Sequence, residues 1–490
     1  MENKYTTAFG KNDIRGIYGE DITELLFYNV GRSYVSYLKK ESSKAPENMY
    51  LTICRDARTH SPALADALAS GIISAGAHVI NLGLAPTPIG YYSEVVGVPE
   101  YLTCGNGVIA ACIITASHNP KEYNGLKMTF KNRTLSEAQI KDLKEITLSN
   151  WENSISNTNL DSVADYDIIP SYIDEMIAKF GKIGEGIKVV VDSANATGGI
   201  VGPKLYKALG CDVIELYSEP DGNFPNHHPN PSVESTLSVL KQTVIDNRAD
   251  IGIAYDGDSD RIGVIDDKGR YLTGDKLLLA YATDVIKEYN SKGIKPDIVS
   301  EVKCSQVLYD TIDRLGGKSH MCKTGHGYIK SMMYETGAVL AGEMSGHTFF
   351  KDRYYGFDDA IYAGCRIIEI IAKNKKINPL FSISELIKPF DEVYTSPEVR
   401  YTCPNDLKKQ TLDTIKNLIQ SNKNIFNSEI RDIITIDGMR IVFNDGFALI
   451  RQSNTEPVFT LRFEANTKDK CTQYQDIMIS LLDKTLKSAV

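Results

Sequence analysis

The apolar and polar positions along the first three-quarters of the chain repeat one order of elements three times. Each unit begins with a short, mostly apolar run: Leu51-Thr52-Ile53-Cys54, Lys188-Val189-Val190-Val191 and Asp297-Ile298-Val299-Ser300. Runs of this length read as buried strands. A helix-like segment follows each, stopped by Gly76, Gly210 or Gly316, because glycine enters the left-handed turn past a helix end without a Cβ penalty. A second strand comes next, at His78-Val79-Ile80, Asp212-Val213-Ile214 and His320-Met321-Cys322. A third then runs into a polar loop: Ile113-Ile114 into Ser117, Ile251-Gly252-Ile253-Ala254 into Asp256, and Val339-Leu340-Ala341 into Glu343. This alternation predicts three related α/β domains with largely parallel strands. Ligands of open α/β sheets sit beyond the carboxyl ends of the strands, so each repeat is expected to present one chemical loop at its functional edge. Three such edges facing one another would make one shared cleft.

The last hundred or so residues break the pattern. Ser382 to Phe390 leads into Val393-Tyr394, a helix-like stretch from Asp406 to Gln420, then Ile434-Thr435-Ile436 and Gly446 to Arg451. Asp437-Gly438 and Asp445-Gly446 are turn signals between short strands, which predicts an antiparallel sheet with helices on one face. This α+β domain is expected to act as a lid, since its one polar loop follows a strand end. The expected boundaries are 1–157, 158–270, 271–382 and 383–490, in keeping with a length of 490 residues.

Charge and composition narrow the partners. The net charge of −9 argues against a nucleic-acid surface, whose affinity comes from clustered Lys and Arg. No apolar run approaches the roughly 20 residues that span a bilayer, and Met1-Glu2-Asn3-Lys4-Tyr5 lacks a signal-peptide stretch. A cytoplasmic enzyme with no membrane partner is the expectation. The nine cysteines are odd in number and scattered, without a Cys-x-x-Cys pair, so free thiols are expected rather than disulfides or zinc ligands.

Four loops carry chemistry. In Thr115-Ala116-Ser117-His118-Asn119-Pro120 the backbone leaves a strand sharply and displays the Ser117 hydroxyl. Serine needs activation, and His118 and Lys127 are both candidate acid/base groups. A protease-like serine lacks its glycine-flanked elbow here, and a structural turn is the plain alternative. In Asp256-Gly257-Asp258-Ser259-Asp260-Arg261 three alternating carboxylates gather hard oxygen donors that repel one another unless a divalent cation neutralises them. An EF-hand would need glycine and glutamate where Arg261 and Asp267 stand. A phosphatase using the first aspartate as nucleophile fits the third carboxylate less well than a ligand set does. Arg261 adds a planar cation. Glu343 and Ser345, in Gly342-Glu343-Met344-Ser345-Gly346-His347, offer an acceptor and a donor suited to adjacent sugar hydroxyls, or simply form a Gly-bounded turn. Arg451, Ser453, Asn454 and Thr455 combine a guanidinium fork with hydroxyl, amide and main-chain donors, a nest for a phosphate.

Together these loops resemble the α-D-phosphohexomutases, most closely the bacterial phosphomannomutase/phosphoglucomutase branch, over nearly the whole chain. The resemblance implies four domains around a central cleft. It implies that Ser117 is carried as a phosphoserine that donates its phosphoryl group, and that one Mg²⁺ is held by Asp256, Asp258, Asp260 and a phospho-Ser117 oxygen. It further implies that the Glu343 loop reads O3 and O4 of the sugar. Arg15, in Asn12-Asp13-Ile14-Arg15-Gly16, matches a phosphoserine-side cation, while Asn12 departs from the tyrosine common in this branch. Lys303, His326 and His347 match substrate-facing positions. Ser259 stands where many relatives have glycine, and Lys351 to Asp359 matches the branch and is expected to pack behind the sugar loop. The expected activity is reversible phosphoryl transfer between C1 and C6 of mannose and glucose phosphates through a hexose 1,6-bisphosphate, by a monomer or weak dimer. A phosphoglucosamine mutase would share this chemistry. A non-catalytic phosphosugar sensor would need neither Ser117 nor the three aspartates.

Overall fold

The computed structural model describes residues 4–156, 158–453 and 457–489. By packing, the chain divides into two compact units, residues 1–273 with 345–382, and residues 274–344 with 383–490.

The first unit contains two sheets of like design. In the first, Tyr50–Arg55 pairs in parallel with His78–Leu84 and Val108–Ile114. Tyr123–Phe130 then runs antiparallel to Val108–Ile114, and Ile14–Ile17 antiparallel to Tyr123–Phe130. In the second, Lys188–Asp192 lies parallel to both Asp212–Leu216 and Ile251–Tyr255, with Ile262–Asp266 antiparallel at the side. The first-strand, second-strand and third-strand runs of the sequence occupy these parallel positions. Both sheets therefore send the ends of their third strands, at Ile114 and Tyr255, into the loops that carry Ser117 and Asp256.

Residues 345–382, which the sequence pattern assigns to the third domain, pack inside this first unit. Their helix Ala360–Lys375 is buried at every residue from Ala360 to Ala372, and its two charged members there are paired, Arg366 with Asp352 and Glu369 with Arg353. Asp359 caps it by accepting hydrogen bonds from Ile361 N and Tyr362 N. The helix is tied to its neighbours where Tyr206 Oη donates to Ile361 O at 3.1 Å and Tyr172 Oη to Asp359 Oδ2 at 2.8 Å.

The second unit joins a parallel set to an antiparallel one. Asp297–Glu301 pairs in parallel with Lys318–Cys322 and Leu340–Gly342. The C-terminal part is the expected antiparallel sheet, in the order Tyr394–Thr395, Val458–Ala465, Gly446–Gln452, Met439–Phe443 and Ile430–Ile434. The helices Lys408–Ser421 and Lys468–Ala489 supply Ile415, Ile419, Tyr474 and Met478 to its core. One buried cation fastens the two parts. Arg440 donates to Val302 O at 2.5 Å, Cys304 O at 2.7 Å and Gln306 Oε1 at 3.1 Å, and its guanidinium lies 3.7 Å from the centre of the Phe447 ring.

Candidate active site

Ser117 sits three residues beyond the strand end at Ile114, with a left-handed φ of 51°. That conformation is rare for a residue with a side chain and collects at functional positions. Its N–H is held by Thr115 Oγ1 at 2.8 Å. The carbonyls that follow converge on Arg58, which is 1% exposed and takes Ser117 O at 2.9 Å, Asn119 O at 2.7 Å, Pro120 O at 2.5 Å and Tyr123 O at 3.1 Å. The Ser117 hydroxyl donates to Asp256 Oδ2 at 2.8 Å and lies 3.1 Å from His118 Nδ1. A Cβ on Gly257 would stand 2.4 Å from Ser117 O, so only glycine lets the carboxylate loop approach this closely.

Asp256, Asp258 and Asp260 are all but fully buried, and each offers a carboxylate oxygen within 4.8 Å of the others. Lys127 enters the cluster, donating to Asp258 Oδ2 at 2.7 Å and Asp260 Oδ2 at 2.6 Å. Burial would lower the Lys127 ammonium, but Asp258 and Asp260 hold it well above its ordinary value. The carboxylates are affected unequally. Burial, reinforced by Asp260 and Asp258, pushes Asp256 well above the usual carboxylate range. Burial also acts to raise Asp260, yet Lys127 and His347 bring it below that range. Among the described residues, Asp258 Oδ1 and Asp260 Oδ1 are buried and accept no hydrogen bond. Buried oxygens in that condition, beside a third carboxylate, fit a hard divalent cation.

The other predicted groups of the first unit surround this cluster. Arg15 bonds Asp13 through Nε at 3.0 Å and Asn119 Oδ1 through Nη1 at 3.0 Å, which places it on the Ser117 loop. Arg261 Nε donates to His347 Nε2 at 2.9 Å and lies 3.9 Å from Asp256 Oδ2. His347 Nδ1 is 3.1 Å from both Asp260 O and Asp358 Oδ2. His118 is pushed well below its ordinary value by burial, then by Arg261 and Arg15. Ser345 is half-buried in the same unit.

The remaining predicted residues belong to the second unit. Glu343 is 5% exposed, and the adjacent Met344 N–H donates to Glu301 Oε1 at 2.9 Å. Lys303 Nζ lies 3.7 Å from Glu301 Oε1 and 3.8 Å from Glu398 Oε2. His326 opens the helix His326–Thr336. Arg451 Nε donates to Asp437 Oδ2 at 3.0 Å, and that oxygen also accepts Thr324 N–H at 3.2 Å, which links the arginine to the turn before His326. Ser453 N–H donates to Val458 O at 3.0 Å. Asn454 and Thr455 lie outside the described residues.

The same chain matches four successive family profiles: phosphoglucomutase/phosphomannomutase alpha/beta/alpha domains I, II and III over residues 6–154, 170–269 and 273–390, and the C-terminal domain over 398–481. It is 37% identical over 471 residues to the phosphomannomutase/phosphoglucomutase of Pseudomonas aeruginosa, covering 96% of this chain and 94% of that protein. The chain belongs to the phosphoglucomutase/phosphomannomutase family. A more distant relative, the phosphoglucomutase/phosphomannomutase of Thermococcus kodakarensis, is 32% identical over 98% of this chain and 99% of its own. A solved structure of a phosphoglucomutase/phosphomannomutase family protein from Burkholderia thailandensis superposes with a TM-score of 0.85 at 34% identity, covering 99% of this chain and 98% of that one.

Within this phosphohexomutase fold the sequence pattern overlooked three groups at the site. Arg58 and Asp56 follow the end of Tyr50–Arg55, and Thr87 follows His78–Leu84 after Pro86. Thr87 Oγ1 donates to Asp258 Oδ2 at 2.6 Å and Thr87 N to Asp258 O at 2.8 Å. The signal was available, since these strand ends share a sheet edge with Ser117. The third is Asp358, whose partner His347 stands eleven positions earlier. The sequence reading places it only in the Lys351 to Asp359 segment behind the sugar loop, with no role of its own.

Proposed function

We infer that this chain is a reversible phosphohexomutase that moves a phosphoryl group between C1 and C6 of mannose and glucose phosphates. The observation that carries the inference is the Ser117 hydroxyl, in a left-handed turn, bonded to the buried three-carboxylate cluster. Ser117 is the phosphoryl carrier. In the forward half-reaction the free hydroxyl of the sugar phosphate attacks the phosphorus of phospho-Ser117, the P–Oγ bond breaks, and the hydroxyl's proton is given up as Oγ gains one. The resulting hexose 1,6-bisphosphate returns its other phosphate to Ser117 by the reverse steps. His118 is the acid/base group nearer to Oγ, whereas Lys127 is engaged by two carboxylates. Arg15 and Arg261 contribute positive charge beside the transferring group.

Asp256, Asp258, Asp260 and phospho-Ser117 would hold one Mg²⁺, which supplies Lewis-acid stabilisation to a phosphoryl group in transfer. Glu343, with Ser345 from the same loop, reads sugar hydroxyls, and Lys303, His326, His347, Arg451 and Ser453 grip the sugar phosphate, with Asn454 and Thr455 completing the cradle. O3 and O4 are equatorial in both mannose and glucose, so a loop that reads them gives no strong choice at C2. The enzyme is cytoplasmic, a monomer or weak dimer, with four functional segments bounded near 157, 270 and 382 and no nucleic-acid or membrane partner. Among the described residues no helix is long and apolar enough to cross a membrane.

Mass spectrometry of the purified protein tests the assignment. A fraction should carry one phosphoryl group on Ser117, and Ser117→Ala should abolish turnover of mannose 1-phosphate and glucose 1-phosphate together. Full activity in Ser117→Ala, with phosphate on another residue, would overturn it.

A further inference from the structure

Arg58 is a large charged side chain buried from solvent, and all five of its N–H donors are spent. Nε donates to Asp56 Oδ2 at 3.0 Å, Nη1 to Pro120 O and Tyr123 O, and Nη2 to Ser117 O and Asn119 O. One guanidinium therefore gathers four main-chain carbonyls from the seven-residue loop that begins at Ser117. Asp56 balances its charge and is itself fixed by Arg58 N–H at 3.0 Å and Ser61 Oγ at 2.7 Å.

The arginine is also sealed from behind by the loop between the second and third strands of the second sheet. The Phe224 ring centre lies 5.3 Å from the guanidinium carbon. Gly222 comes so near that a Cβ there would stand 2.3 Å from Ala57 O. Phe224 itself takes a left-handed φ of 49°. Two left-handed backbones, at Ser117 and Phe224, thus adjoin one planar cation.

We propose that Arg58 is the positioning residue of the phosphoryl-transfer step: it fixes the carbonyl framework of the Ser117 loop so that Oγ stays aimed at the carboxylate cluster. The proposal rests on Ser117 being the phosphoryl carrier. Only an arginine meets the geometry, because lysine offers three donors from a single point and leaves buried carbonyls unsatisfied. In-line transfer is sensitive to misplacement of about an ångström, which can cost about 100-fold in rate. All five Arg58 donors are engaged by Asp56 and the Ser117 loop, so sugar-phosphate binding should be spared.

The test compares Arg58→Lys, Phe224→Ala and Ser117→Ala in the full-length protein, with the folded fraction measured by calorimetry. Arg58→Lys is expected to lower kcat per folded molecule by about 100-fold with KM within about twofold of wild type. Single-turnover loading of Ser117 from glucose 1,6-bisphosphate should slow to match. Phe224→Ala is expected to show a smaller fall in kcat, again at unchanged KM. A purely structural arginine would lower the melting temperature and leave kcat per folded molecule unchanged, and that result overturns the proposal. So does a rise in KM with kcat preserved. If Arg58→Lys does not fold, Phe224→Ala decides, and an unchanged kcat there overturns it. Ser117→Ala separates the two assignments: inactive Ser117→Ala beside a fully active Arg58→Lys removes only the positioning role, whereas active Ser117→Ala removes the carrier on which it stands.

Discussion

At the scale of single residues, the site is built from conformations and charges that the chain would otherwise avoid. Ser117 and Ser259 are both left-handed, with φ of 51° and 61°. For Ser117 the strain accompanies the display of the proposed phosphoryl carrier. For Ser259 no comparable return is visible, since its hydroxyl is 3.4 Å from Thr197 Oγ1, a marginal contact. Glycine adopts such a left-handed φ without a Cβ penalty. Ser259→Gly is therefore expected to raise stability by up to about 1 kcal/mol, the scale of the left-handed penalty for a residue with a Cβ, with turnover unchanged. Denaturant titration and a steady-state assay check the two halves. A second buried group sets a pH dependence. Burial pushes the Glu94 carboxyl up to about 7, against hydrogen bonds from Thr129 and Asn132 that favour ionisation. In the unfolded chain Glu94 loses its proton near its ordinary value of 4.5, while the folded chain keeps it. The native state thus binds more protons in between, and stability falls as pH rises from about 4.5 to about 7. The loss is about 3 kcal/mol. Glu94→Gln, neutral throughout, should remove this slope and be the more stable protein at pH 8, as measured by urea midpoints across that range.

At the scale of elements, what the sequence disclosed and what it hid have physical causes. The parallel strands were legible because a fully buried strand must be apolar along its length, as Lys188–Asp192 and Ile251–Tyr255 nearly are. The clustering of the three aspartates was legible because they alternate at short spacing in one loop. The place of Ala360–Lys375 was not, because a largely apolar helix announces burial without naming the sheet that buries it. Arg58 and Asp358 were missed for a similar reason: their partners lie far off in sequence or on main-chain carbonyls, which leave no mark in side-chain type. Arg440 belongs with them. It joins Met439–Phe443 to the turn at Val302 and Cys304, on either side of Lys303. Arg440→Met keeps much of the volume but strips two buried carbonyls of their donor, so it should destabilise the second unit by about 3 kcal/mol. Calorimetry should register the change, and weaker sugar-phosphate binding should accompany it as Lys303 loses its fixed turn.

At the scale of the whole molecule, the chemistry is divided between the two packing units. Ser117, the three aspartates, Lys127, Arg15 and Arg261 belong to the first, while Glu343, Lys303, His326 and Arg451 belong to the second. A ligand that binds only the native form of one unit stabilises that unit alone. Mg²⁺ at about 100 times its dissociation constant should therefore add about 2.7 kcal/mol to the first unit. A scanning calorimeter should show one unfolding component moving up with Mg²⁺ and another unmoved, and Asp258→Ala should abolish the shift. The division also shapes how the protein is made. The first unit is interrupted in the chain, since its helix Ala360–Lys375 is translated after the whole of residues 274–344. Tyr172 and Tyr206, which that helix covers, leave the ribosome long before it does. For roughly ten seconds of synthesis the second sheet must wait with an apolar face unprotected. The nascent chain is therefore most vulnerable to aggregation, and most in need of a chaperone, in the interval between these two stretches.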